Sequence, residues 1–135
     1  MKIVGKVSGR VAKLLGLPDL VDPNIYLGPS NLAHMKTSHP ADFEKYGGEL
    51  IHILAYPDYV GRNPTDGSIE YVKEFLIDGD YVKVAVRLSG KGLYFARSLY
   101  VLNPRRVHNY IDKGTLKKVD GTETTGYNEV AKSIE

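Results

Sequence analysis

Apolar positions change their spacing partway along the chain. From residue 8 to about residue 56 they recur at helical intervals; from residue 68 to residue 102 they alternate. The first helix is expected at Ser8–Gly16, with Ser8 as N-cap, Val11, Leu14 and Leu15 at helical spacing, and Gly16 and Pro18 ending it. Pro23 and the run Asn24-Ile25-Tyr26-Leu27 read as extended. Gly28-Pro29-Ser30 then turns into a second helix, capped by Ser30 or Asn31 and carrying Leu32, His34, Met35 and Lys36. This helix ends by Ser38, because Pro40 disfavours the helical conformation at His39. A third helical piece is expected from Asp42 through Tyr56, broken at Gly47-Gly48 and stopped by Pro57.

The alternating part divides into strands at Ser68–Leu76, Asp80–Leu88 and Gly92–Leu102, with Asp78-Gly79 as a two-residue turn and Ser89-Gly90-Lys91-Gly92 as a second reversal. A last helix follows over Pro104–Ile111, with Asn103 as cap, Pro104 at its first position and Gly114 past its end. Helices first and a meander afterwards make the fold class α+β.

Turns of that kind assign side chains to faces. One face collects Tyr71, Lys73 and Phe75, then Val82, Val84 and Val86, then Phe95, Arg97 and Leu99, and is mostly core. The other collects Glu70, Val72 and Glu74, then Tyr81, Lys83, Ala85 and Arg87, then Tyr94, Ala96, Ser98 and Tyr100. Across it the expected neighbours are Glu74 and Lys83, Glu70 and Arg87, Lys83 and Ser98, Arg87 and Tyr94, and Tyr81 and Tyr100. The plain reading is a wetted sheet face with cross-strand ion pairs of about 0.2–1 kcal/mol each. The sharper one is a site where cations bind a phosphodiester and tyrosines stack on bases, with Ala85 and Ala96 leaving a depression between them. Arg97 fits its apolar face badly. Either it snorkels to the rim or a bulge turns it to the polar side.

Composition narrows the class. A chain of 135 residues with 42% apolar and 25% charged residues suits one soluble domain. No apolar run approaches the roughly 18 residues of a membrane span, no secretory signal is visible, and the expectation is a cytoplasmic protein. The absence of cysteine excludes disulfides, Cys-ligated zinc and thiol nucleophiles. Residues 120–135 hold Asp120, Glu123, Glu129 and Glu135 against Lys132 alone. Setting those four acids and one lysine aside from the chain's 16 and 18 leaves 12 acidic and 17 basic residues, a net +5 over residues 1–119. The expected organisation is therefore one α+β domain over 1–119 with a modest preference for polyanions, and an acidic, disordered tail over 120–135.

Four histidines are available. His34 and His39, five apart, would lie about 140° apart on a continuous helix, which does not give the one-face pair of a helical zinc motif. The break before Pro40 lets His39 turn back, so that the two imidazoles can act as an acid/base pair in one cleft, with His34 the better candidate. His52 reads as buried and His108 as solvated.

The segments NLAHMKTSH, YPDYV, SIEYVKEF, DYVKVAVRL and GLYFARSLY together resemble a group of phage-associated predicted nucleases of the barnase–EndoU–colicin–RelE type, over roughly residues 1–119. The resemblance implies a barnase/RelE-like ribonuclease fold, with helices before an antiparallel sheet of about four strands. The fourth strand is signalled only weakly, at Val60–Asn63. It further implies a metal-independent ribonuclease, or an inactive relative, using His34 and His39 from the helical half with Lys83, Arg87, Arg97, Ser98 and Tyr100 from the strands. In the mechanism expected from this, a ribose 2′-hydroxyl attacks the adjacent phosphate to leave a 2′,3′-cyclic phosphate. His34, His39, Lys83, Arg87 and Ser98 are the catalytic candidates, and Glu70 or Glu74 an alternative acid/base partner. Tyr81, Tyr94, Arg97 and Tyr100 are the substrate-binding candidates. No metal or cofactor is expected; RNA is the expected partner, together with an immunity protein or antitoxin. The rival readings are a non-catalytic nucleic-acid or protein-binding module using the same face, and a phage accessory domain whose ion pairs only solubilise the sheet.

Overall fold

A computed structural model describes residues 1–119; the expected disordered tail, 120–135, lies outside the described residues. The chain runs β1 (Lys2–Lys6), α1 (Gly9–Leu14), β2 (Asn24–Leu27), α2 (Pro29–Ser38), α3 (Pro40–Tyr46), a 3-10 turn (Gly47–Glu49), α4 (Leu50–Ala55), β3 (Tyr59–Arg62), β4 (Ile69–Phe75), β5 (Asp80–Leu88), β6 (Tyr94–Leu102), α5 (Pro104–Asp112) and β7 (Leu116–Lys118). Local signals behave as expected at several boundaries. Ser8 Oγ accepts from the Val11 amide, Asn103 Oδ1 accepts from the Arg105 amide, and α2 stops at Ser38 before Pro40. The cap of α2 is Gly28, two or three residues earlier than expected, with the Asn31 side chain accepting from its amide.

The sheet is larger than the four-strand expectation. Among the described residues it has seven strands in the order β1-β2-β6-β5-β4-β3-β7, antiparallel throughout except for the β2–β6 pair. The N-terminal half is therefore not purely helical, since it supplies β1, β2 and β3. Neither β1 nor β7 has a long alternating run. β1 is held by pairing with β2, and at Gly5 an added Cβ would come within 3.2 Å of Leu54, so the glycine admits close approach of α4.

Two cores flank the sheet. On one face Val60, Ile69, Tyr71, Val82, Val84, Val86 and Leu99 pack with Val11, Met35, Tyr46, Ile53 and Leu54 from α1 to α4. On the other, Val107 of α5 packs with Val72, Tyr81, Leu102 and Leu116. Helix α5 thus covers one end of the second face.

Both hairpins turn differently from the expectation. At β4–β5 the Gly79 amide donates to the Phe75 carbonyl and Gly79 has φ +68°, so residues 76–79 form a four-residue loop. Lys45 and the Tyr46 hydroxyl hold Asp80 in the strand. Glu74 consequently pairs with Tyr81, and Lys83 with Val72, a slip of two residues that keeps every side chain on its expected face. At β5–β6 the Ser89 amide donates to Leu93 O and Gly92 has φ +83°, giving a three-residue loop. An odd loop reverses the faces beyond it: Tyr94 and Ala96 enter the main core and Phe95 lies opposite Arg87. A bulge then leaves Arg97 without a partner, exposed, and restores the expected faces from Ser98 onward.

Candidate active site

The second face of the sheet, beyond the cover of α5, carries the titratable groups. β5 presents Lys83, Ala85 and Arg87; β4 presents Glu70; β6 presents Ser98 and Tyr100. Lys83 and Ser98 therefore share a face, with Tyr100 opposite Lys83 and Ser98 opposite Ala85. The expected ion pairs are rearranged. Lys83 Nζ lies 2.6 Å from Glu70 Oε2, diagonally across the β4–β5 ladder, with the two side chains only 12% and 11% exposed. Burial alone would pull the Lys83 ammonium down; its hydrogen bonds to Glu70 and the Tyr100 hydroxyl, with their charges, outweigh this and hold it above the usual lysine range. The same ammonium sits 4.8 Å from the centre of the Tyr100 ring.

His39 completes this row. Strand β2 reaches only Tyr94 and Phe95 of β6, so among the described residues the edge of β6 further along has no strand neighbour on that side. The corner between α2 and α3 lies against it instead, with Asp42 Oδ2 accepting from the Val101 amide at 3.0 Å. His39 stands at that corner, exposed, and its ring stacks on Tyr100 with centroids 4.6 Å apart and planes 24° from parallel. Glu70, Lys83, Tyr100 and His39 form one continuous row. His34 is also exposed, but its ring faces Ser38 Oγ one turn on, 3.2 Å from Nε2, within α2.

The other candidates divide by place. Arg87 lies on the same face and is exposed, as is Arg97 at the bulge. Tyr94, expected on this face, lies on the opposite one because of the odd hairpin loop; burial there raises its phenol above the ordinary value. Tyr81 keeps its expected face but is buried beneath α5, edge-on to His108 with centroids 6.1 Å apart. A hydrogen bond to Glu74, then burial, raises the Tyr81 phenol, so Glu74 is engaged with Tyr81 rather than with Lys83.

Two aromatic residues of this face were not among the site candidates, Phe95 having been assigned to the core face. Phe95 takes the place assigned to Tyr94, and Tyr26 of β2 lies beside it, ring centroids 6.1 Å apart, its hydroxyl donating to Asp22 at 2.7 Å. That bond holds the Tyr26 phenol above its ordinary value and the Asp22 carboxyl below its own. The signal for Tyr26 was the extended run at residues 24–27, whose membership of the sheet only its pairing with β6 reveals. Among the described residues no group of three or more His, Cys, Asp or Glu could hold a metal ion, and no helix is long and apolar enough to cross a membrane.

The family model described as phage-Barnase-EndoU-ColicinE5/D-RelE like nuclease3 (PBECR3) matches residues 1–109. The chain belongs to this family. The PBECR3 match spans β1 to Asn109 in α5 and so includes every residue of the row from Glu70 to His39. PBECR3 membership implies a nuclease of the barnase, EndoU, colicin or RelE type, and with it a nucleic acid as substrate class. No curated protein and no solved structure matches the chain.

Proposed function

We propose that this PBECR3 protein is a metal-independent endoribonuclease that cleaves RNA by attack of a 2′-hydroxyl on the adjacent phosphorus. The row Glu70–Lys83–Tyr100–His39 carries the proposal, because it sets a carboxylate and an imidazole, two groups able to hold opposite protonation states, on either side of a largely buried cation. Glu70 takes the 2′-hydroxyl proton, O2′ bonds to phosphorus, the P–O5′ bond breaks, and His39 gives its proton to O5′. The product ends are a 2′,3′-cyclic phosphate and a free 5′-hydroxyl. Lys83 and the Ser98 hydroxyl stabilise the non-bridging oxygens as they gain charge, which is usually the largest catalytic contribution. Arg87 and Arg97 hold neighbouring phosphates, and Tyr26 with Phe95 stack a base. His39 takes the part first assigned to His34, because its ring lies on the row.

Phage or toxin association follows the family description, and an immunity protein or antitoxin would act by covering this patch in the cytoplasm. The competing reading, a non-catalytic RNA-binding module, draws on the Lys83–Glu70 pair, in which the cation is already neutralised. Incubating labelled RNA with the protein in EDTA and running the products on a gel separates the two. Bands ending in cyclic phosphate support the nuclease. Salt-sensitive binding without bands selects the module.

A further inference from the structure

A second row of side chains crosses the same face of the sheet, parallel to the row from Glu70 to His39. Backbone pairing fixes it: Arg87 of β5 lies opposite Phe95 of β6, Phe95 beside Tyr26 of β2, and Tyr26 opposite Ile3 of β1. Their chain neighbours Val86, Tyr94, Ile25 and Val4 all enter the main core, so Arg87, Phe95, Tyr26 and Ile3 point to the other side, where Lys83 and Ser98 stand. Phe95, Tyr26 and Ile3 belong to neither core, and Ile3 is 56% exposed. Helix α5 lies over Tyr81 and Leu102, at the other end of these strands. The row is thus an apolar shelf about 10 Å long across three strands, with the Arg87 cation at its inner end. Near its outer end the Tyr26 hydroxyl donates to Asp22 at 2.7 Å. That bond holds the ring in place, and the carboxylate repels a phosphate, so the shelf suits a base rather than the backbone of a nucleic acid.

We infer that this shelf takes the two bases on the 3′ side of the cleaved bond, the first over Phe95 and Tyr26 and the second over Tyr26 and Ile3, with Arg87 on the phosphate that joins them. The assignment rests on the acid and base roles proposed above. In the first row Glu70, on β4, takes the 2′-hydroxyl proton, and His39 gives its proton to O5′ from the far side of β6. The ribose before the cleaved bond therefore lies towards β4, and the nucleotides after it leave towards β6, β2 and β1, the direction in which the shelf runs. Lys83 and Arg87 are four residues apart on β5, about 13 Å, so the shelf meets the strand beyond the reacting phosphate. Unpaired bases splay apart and lie on aromatic side chains, and Ile3 extends by apolar contact the platform that Phe95 and Tyr26 begin.

The test uses 5′-labelled strands that are 2′-O-methyl throughout except at one ribose, with each of the four bases at that ribose and one, two or three nucleotides after it. Cleavage by the full-length protein in EDTA is read as kcat/KM. Passing from one following nucleotide to two should raise it about tenfold, the effect of one stacked base, and a third should add little. An abasic unit in place of the second base should cancel the gain, and lengthening at the 5′ end should not reproduce it. Ile3→Ser should cut the gain to about threefold. Leu88→Ser, which removes a side chain of similar exposure, 52%, from the opposite face, should keep it whole; circular dichroism checks both folds. A gain on the 5′ side instead, or an undiminished gain in Ile3→Ser, overturns the assignment. Anisotropy of the fully 2′-O-methylated strand is measured in parallel. If no strand is cut, the nuclease reading falls and the 3′ assignment with it, whereas the shelf as a base platform still stands if Ile3→Ser binds this strand about threefold more weakly than wild type and Leu88→Ser do. Equal binding by all three, with Ile3→Ser alone converting a dimer to a monomer in sedimentation, gives the shelf to a second copy of the chain and overturns the platform as well.

Discussion

The rings of His39 and Tyr100 stack with centroids 4.6 Å apart, although one residue belongs to a helical corner and the other to a central strand. Tyr100 also lies beneath the Lys83 ammonium. One aromatic side chain thus supports both the imidazole and the cation of the candidate site, and the helical corner is positioned by its seat on the edge of β6.

If His39 transfers the proton, His39→Ala lowers kcat for RNA cleavage by about 10²–10⁴. His34→Ala, which removes a ring facing Ser38, stays well short of that loss. Gel kinetics on both variants decide which imidazole acts, and equal losses would return His34 to the mechanism.

Asp42→Ala leaves the Val101 amide at the β6 edge without its acceptor. The loss of a part-buried hydrogen bond lowers stability by about 1–3 kcal/mol in urea unfolding. Because the same bond seats the corner that carries His39, cleavage falls with KM nearly unchanged.

Breaking the Lys83–Glu70 pair strands a charge among apolar neighbours. Glu70→Leu alone destabilises by about 3–5 kcal/mol, and Glu70→Leu/Lys83→Met recovers much of this, as urea midpoints will show. The pair also predicts an alkaline effect. Lys83 titrates above the ordinary lysine value of 10.5, so its contribution is complete below that pH and is lost as pH rises through the folded value. Tyr46 and Tyr94, raised chiefly by burial, lose stability in a neighbouring window above their ordinary value of 10.0. The Lys83 part is therefore the difference between the wild type and the double variant.

Gly61→Ala places a methyl group against the Thr115 carbonyl, which is backbone and yields only if β7 shifts. A loss of about 1–3 kcal/mol is expected in urea unfolding. Gly9→Ala, with nothing near its added Cβ, serves as the comparison.

Tyr26→Ala and Phe95→Ala should each weaken binding of single-stranded RNA by about 1–3 kcal/mol if they stack bases. Tyr94→Phe, on the opposite face, should leave affinity unchanged. Fluorescence titration at fixed salt reads all three.

Local chemistry made much of this molecule legible in advance. Ser8 and Asn103 as caps, the stop before Pro40, the break at the paired glycines and the three long strands all follow from residues acting on near neighbours. Lys83 and Ser98 share a face, as alternation through an even turn predicts, only because the odd loop at Gly92 and the bulge at Arg97 cancel each other. Pairing across the sheet was another matter. Whether Asp78-Gly79 closes a two-residue or a four-residue loop depends on Asp80 being held by Lys45 and Tyr46 from a distant helix, and that choice moved the partner of Glu74 from Lys83 to Tyr81. The odd loop at Gly92 and the bulge at Arg97 exchanged Tyr94 for Phe95, which needs the whole β5–β6 ladder to be seen. Strands as short as β1 and β7 exist only because a neighbour supplies their hydrogen bonds. His39 reached the strand face for a related reason: β2 ends early, the edge of β6 needs a cover, and only the folded chain brings the α2–α3 corner there to provide it.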